Sequence, residues 1–127
     1  DHDRKRFEKR KAFVQKAAEW MNERYGEGVV TATINDQYYN MREKIEPVPH
    51  VVDIVIEAMK QCNIPSKVRA IRGGTDGAQL SFMGLPCPNI FAGGLNFHGP
   101  HEFLPIPSLK KASELVVKII ELTAQRG

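Results

Sequence analysis

From residue 49 to its end, the chain alternates three helical stripes with two short apolar runs, and each run empties into a glycine-rich loop. Val51, Val55, Ala58, Met59 and Cys62 recur at helical spacing, which predicts a helix over 49–62 that "NIPS" then stops. "AQLSFMG" suits a short helix. Leu109, Ala112, Val116, Ile119 and Leu122 or Thr123 predict a last helix over 108–124, with Ser108 as its N-cap. Between these lie "KVRAI" (67–71) and "PNIFAGG" (from Pro88), both read as strands. Helix, strand, helix, strand, helix is the order of an α/β unit with parallel strands and covering helices. Ligands of such units gather at the carboxyl ends of the strands. The loops "RGGTDG" and "GGLNFHGPHEF" both leave from there, so they are expected on one rim.

Upstream the pattern is simpler. Phe7, Val14, Ala18, Met21 and Tyr25 stripe a helix over 3–25, which Gly26 and Gly28 end. "VVTATINDQYY" alternates like a strand, with Val30, Ala32 and Ile34 on one side. "NMREKIEPVPH" is polar and carries two prolines, so it reads as a connection.

A chain of 127 residues suggests one domain. The first residue is Asp1, not Met, which suggests a piece processed or cut from something longer. No signal-peptide pattern opens it and no apolar run approaches the ~20 residues of a membrane span, so a cytoplasmic protein without membrane contact is expected. Cys62 and Cys87 make no CxxC pair and are expected to be buried free thiols. "RKRFEKRK", residues 4–11, holds six of the 18 Lys and Arg. No aromatic or glycine-rich RNA motif accompanies it. It reads as a solvated helix face, with Arg4 paired to Glu8, rather than as a nucleic-acid contact.

Chemistry is sought in the two loops. "RGGTDG" is neither GxxxxGK[ST] nor GxGxxG. Its glycines allow backbone N–H groups to face a ligand, or it is a simple turn with Asp76 capping the next helix. "HGPHE" is not HExxH, and Gly99 and Pro100 forbid a regular helix between its histidines. A catalytic zinc needs roughly three protein ligands. Of the four histidines, His2 and His50 lie outside the loops, so this chain offers about one ligand.

"IRGGTDGAQLSFMGLPCPNIFAGG", "HGPHEF" and "IIELTAQRG" together closely resemble the carboxyl-terminal end of a dizinc metallopeptidase family. That family includes tripeptide aminopeptidases, carboxypeptidase G, and the acetylornithine and succinyl-diaminopimelate deacylases. "DQYYNMREKIEPVPHVVDI" is also similar, and "DHDRKRFEKRK" resembles a helix of the family's lid domain. The resemblance implies the parallel-strand portion of a zinc-exopeptidase catalytic domain, preceded by the helix-strand end of an α+β lid. Residues 1–40 would end the lid, of the dimerisation type, and 41–127 would belong to the catalytic domain.

The same resemblance implies two zinc ions per complete active site, which lower the pKa of a shared water. The family places a zinc-ligand histidine four residues before a glutamate, which here is His98 before Glu102. Gly74, Thr75, Asp76 and His101 become substrate-pocket candidates. The family's other ligands and its glutamate base lie in motifs that do not occur here, so no catalytic residue is expected in this chain. The implied activity is removal of the amino-terminal residue from tripeptides, with the remainder of the peptidase as partner. The isolated chain is expected to be inactive and to self-associate. The alternative is a non-catalytic binding or scaffold module.

Overall fold

A computed structural model describes residues 2–71 and 73–126. They form five helices: α1 (Arg4–Tyr25), α2 (Arg42–Ile45), α3 (His50–Gln61), α4 (Asp76–Phe82) and α5 (Ile106–Arg126). The three long helical stripes read from the sequence all become helices. Asp3 caps α1, its carboxylate accepting the Arg6 N–H at 2.8 Å, and Gly26 closes the other end. The end of α3 is a Schellman turn. Asn63 takes φ of 54°, its N–H meets the Lys60 carbonyl, and the Ile64 N–H reaches the Met59 carbonyl at 2.8 Å.

The expected parallel-strand architecture is not found. Among the described residues there is no strand and no sheet, and β-type pairing is confined to one antiparallel bridge between Leu95 and Phe103. The reason is local. A β-branched run becomes a strand only when its backbone groups meet those of a neighbouring strand. Residues 30–36 instead run back along α1 and meet its side chains. The Asn22 amide serves both backbone groups of Val30, accepting its N–H at 2.8 Å and donating to its carbonyl at 2.9 Å. Gln15 donates to the Ala32 carbonyl, and Lys11 holds Asp36 at 2.8 Å. The alternation still sorts the faces: Val30, Ala32 and Ile34 are half-buried, while Thr31, Thr33 and Asn35 are exposed. Residues 67–71 are exposed throughout and pair with nothing in the described backbone. Near Pro88 the apolar run contributes Phe91 to the core without forming a strand.

That core lies between α3 and α5. Ala58 and Leu115 are fully buried and Leu122 nearly so, with Ile54, Met59, Ile64, Phe91 and Ile119 packed around them. The buried face of α5 keeps Ile119 and Leu122 of the expected stripe but departs from it at two positions. Leu109 and Val116 stay 46% and 44% exposed, while Leu115, one residue along, is at 0%. Outside this cluster little is covered. The chain exposes 10117 Å². A free-standing protein of 14.3 kDa would expose roughly 6,800 Å².

Three smaller expectations also change. Helix α5 starts at Ile106, so Ser108 lies inside its first turn and is not its N-cap. Pro107 is tolerated there because first-turn N–H groups have no intrahelical partner. Lys11 pairs with Glu8, at 2.9 Å, in place of the expected Arg4–Glu8 pair. Arg4 reaches across to Glu43 and stacks on Tyr39. Cys62 and Cys87 are free thiols but half-buried, since neither sits in the α3–α5 core.

Candidate functional site

The first loop is organised by the start of α4. Thr75, not Asp76, is the N-cap: its hydroxyl oxygen accepts the Ala78 N–H at 3.2 Å. The same oxygen accepts from the Asn89 amide at 3.1 Å. A threonine hydroxyl offers two lone pairs and one proton. Both lone pairs are taken, so what Thr75 has left for a ligand is a donor. Asp76 follows at the first helical position and is exposed. Its carboxylate adds negative charge where the helix dipole is positive.

A second layer locks α4 to the chain that leaves it. Ser81, almost fully buried, donates to the Gly77 carbonyl at 2.7 Å and accepts the Cys87 N–H at 2.9 Å. Gly77 lies so close to this returning segment that a Cβ there would sit 2.6 Å from the Cys87 carbonyl oxygen. On the other side, the ring of Tyr38 covers Gly74, where a Cβ would meet ring carbons at 2.4 to 2.9 Å. Gly74 is thus a contact point for Tyr38. Arg72, the first residue of "RGGTDG", lies outside the described residues.

The second loop is a closed turn pinned at its neck. The Leu95 N–H meets the Phe103 carbonyl at 2.9 Å and the Phe103 N–H returns to the Leu95 carbonyl at 3.2 Å. Inside it, the Asn96 amide donates to the His101 carbonyl and the Glu102 carboxylate accepts the His98 N–H at 3.0 Å. The spacing of four between His98 and Glu102 therefore has a direct use: the acid holds the backbone of the histidine. His98 adopts φ of 64°, a left-handed conformation uncommon for a residue with a Cβ. Strain at such a position persists only when its surroundings fix it, and it clusters at functional sites. Gly93 and Gly94 serve close packing, against Ser108 at the start of α5 and against the Phe97 ring.

His98 and His101 are both exposed, and among the described residues neither ring makes a hydrogen bond. No group of three or more His, Cys, Asp or Glu that could hold a metal ion occurs among the described residues. No hydrogen bond joins the Gly74–Asp76 turn to the His98–Glu102 turn there either. Sequence reasoning missed Tyr38 and Asn89. The "YY" doublet was visible, but nothing in it foretold that one ring would meet a glycine 36 positions on.

Comparison with known proteins first defines a class. The chain's relatives are peptidases, and the chain spans about 30% of their length. In each case the particular peptidase is peptidase T. The chain is 57% identical to that of Clostridium novyi over 122 residues, covering 96% of this chain and 30% of that protein. It is 57% identical to that of Parabacteroides distasonis over 127 residues, covering 100% of this chain and 31% of that protein. For Bacillus licheniformis the identity is 56% over 127 residues, with the same shares. No protein-family model matches the chain. The similarity therefore extends over essentially the whole chain, which matches a carboxyl-terminal portion of proteins named peptidase T. No helix among the described residues is long and apolar enough to cross a membrane.

Proposed function

We propose that the chain is the carboxyl-terminal part of a dizinc tripeptide aminopeptidase that hydrolyses the amino-terminal residue from tripeptides in the cytoplasm. The observation that carries this is identity above half, over essentially the whole chain, to proteins named peptidase T. Residues 1–40 close a lid domain and 41–127 belong to the catalytic domain. The remainder of the peptidase is the partner. The excess of about 3,000 Å² of exposed surface over a free-standing protein supports this, being of the size that obligate interfaces bury.

In this reading His98 gives one imidazole nitrogen to a zinc ion. Its exposed ring, without an internal hydrogen bond, suits that role, and the Glu102 carboxylate fixes the backbone that presents it. Further ligands must come from the rest of the peptidase. Bound zinc would supply an activated water at neutral pH. Thr75, with only its proton unused, donates to a carbonyl or carboxylate oxygen of the peptide. Gly74, Asp76 and His101 line the pocket beside it. The isolated chain is inactive, because it holds one metal ligand and no base.

The test is made in the full-length enzyme carrying these residues. His98→Ala should lose a zinc ion and nearly all tripeptide hydrolysis. His101→Ala should keep both metals and change mainly KM. Metal content by mass spectrometry and hydrolysis rates read both variants. Loss of zinc from the His101 variant with retention in the His98 variant would reverse the assignment.

A further inference from the structure

Tyr38 and Tyr39 adjoin in sequence but serve opposite neighbours. Tyr39 is fixed on every side. Its hydroxyl donates to Asp36, its ring meets Phe7 edge-on with centroids 6.1 Å apart, and the Arg4 guanidinium lies 4.4 Å above it. Its ring also packs on Phe82 of α4, at 5.9 Å. One residue earlier, Tyr38 turns its ring onto the backbone of Gly74. The contact is made by ring carbons Cδ1, Cε1 and Cζ and leaves no room for even a methyl group. With Tyr39 anchored to α1 and α4, the backbone that carries Tyr38 is held beside the turn its ring covers.

We propose that Tyr38 is a positioning residue that sets the Gly74–Asp76 turn, and so links the segment ending at residue 40 to the substrate pocket. The inference rests on the reading of that turn as part of a tripeptide site. Gly74, Thr75 and Asp76 occupy three successive positions, so a shift of the Gly74 backbone displaces the Thr75 hydroxyl. The Thr75 hydroxyl oxygen is held by Ala78 and Asn89 on its other side. Tyr38 closes the opposite side, where no hydrogen bond among the described residues does so.

The test uses the full-length peptidase with Tyr38→Phe, Tyr38→Ala, Gly74→Ala and the double variant. Backbone amide exchange over 73–78 reads the turn, and tripeptide kinetics read the pocket. Tyr38→Ala should speed exchange and raise KM, each roughly tenfold, with kcat within about twofold of wild type. Tyr38→Phe should match wild type, because ring carbons make the contact. Gly74→Ala should reproduce the Tyr38→Ala effects when present alone, and add little once Tyr38→Ala has cleared the space. Unchanged exchange in Tyr38→Ala overturns the assignment, whatever the activity does. Faster exchange with unchanged KM overturns it too, since the turn would then not position substrate. A wild-type enzyme that protects the turn yet cleaves no tripeptide overturns the peptidase reading, and with it the substrate half of this one.

Discussion

Replacing Gly77 with alanine sets two opposing effects against each other, and the structure decides between them. In most helices the change stabilises by about 1 kcal/mol, since alanine loses less backbone freedom on folding. Gly77 lies in the first turn of α4, where that gain applies. Its new Cβ would stand 2.6 Å from the Cys87 carbonyl oxygen and 2.8 Å from the Asn89 side-chain oxygen. Both neighbours are pinned. The Cys87 N–H is held by Ser81, which is tied back to the Gly77 carbonyl, and the Asn89 amide is held by Thr75. Relief therefore requires a backbone shift, costing about 1–3 kcal/mol, and a broken hydrogen bond worth about 1 kcal/mol more. The loss exceeds the gain by about 1–3 kcal/mol, a factor of roughly 5 to 150 in opening of this segment. Cys87 is half-buried and Cys62 offers a second free thiol, in α3's cap, as internal reference. Alkylation of the two, resolved by peptide mass spectrometry, should show Cys87 accelerated by that factor in Gly77→Ala, with Cys62 unchanged. Equal or slower labelling of Cys87 would show that helix propensity wins and that the close approach does not exist.

Leu115→Ala removes the largest fully buried side chain and should cost about 2–5 kcal/mol, read by urea denaturation followed through helical circular dichroism. A loss under about 1 kcal/mol would mean that the α3–α5 contact is not the core. The cluster of Lys11, Asp36 and Tyr39 makes attachment of residues 30–39 to α1 sensitive to pH at both ends. The bond from Lys11, then that from Tyr39, holds the Asp36 carboxyl below the usual carboxylate range. Its contribution is therefore full above that range and is lost as pH falls through it and below. The same carboxylate raises Lys11 and Tyr39 above their ordinary values. Their contributions are present at neutral pH and are lost as pH climbs past those ordinary values. Amide exchange at Val30 across pH, corrected for intrinsic rates, should show protection falling at both ends. Asp36→Asn should abolish the acid limb, and an unchanged acid limb in that variant would refute the assignment.

The helices were legible because their signals are local. Apolar spacing marked α1, α3 and α5, and Gly26 and Asn63 closed the first two at the expected places. The strands were not, because pairing is a property of two segments. The alternation of Val30, Ala32 and Ile34 is present in the burial, yet the backbone found Asn22 and Gln15 in place of another strand. Periodicity also left the rotation of α5 open, since Leu115 and Val116 both fit an apolar stripe one step apart. In the loops, sequence singled out Thr75, Asp76, His98 and Glu102 but not the partners that fix them. Asn89 and Tyr38 are 14 and 37 residues from Thr75, and no short-range pattern links them.

The glycines explain how such loops hold their shape without a sheet beneath them. Gly74 admits Tyr38, Gly77 admits Cys87 and Asn89, and Gly93 admits Ser108 of α5. Each contact is closer than any Cβ would permit, and each ties a loop to a different part of the chain. Gly93 also takes φ of 85°, so a side chain there would be strained as well as obstructed. A loop held by one such contact can still swing about it. The first loop has two, on opposite ends of the Gly74–Gly77 stretch, and the Thr75 hydroxyl is bonded between them. The second is closed by the Leu95–Phe103 bridge and internally by Glu102 on His98. The residues that can touch a ligand are thus fixed by the backbone of their neighbours, while their own rings, hydroxyl proton and carboxylate stay free for chemistry. Enlarging any of these glycines should disturb the candidate site more than truncating most of the exposed side chains around it.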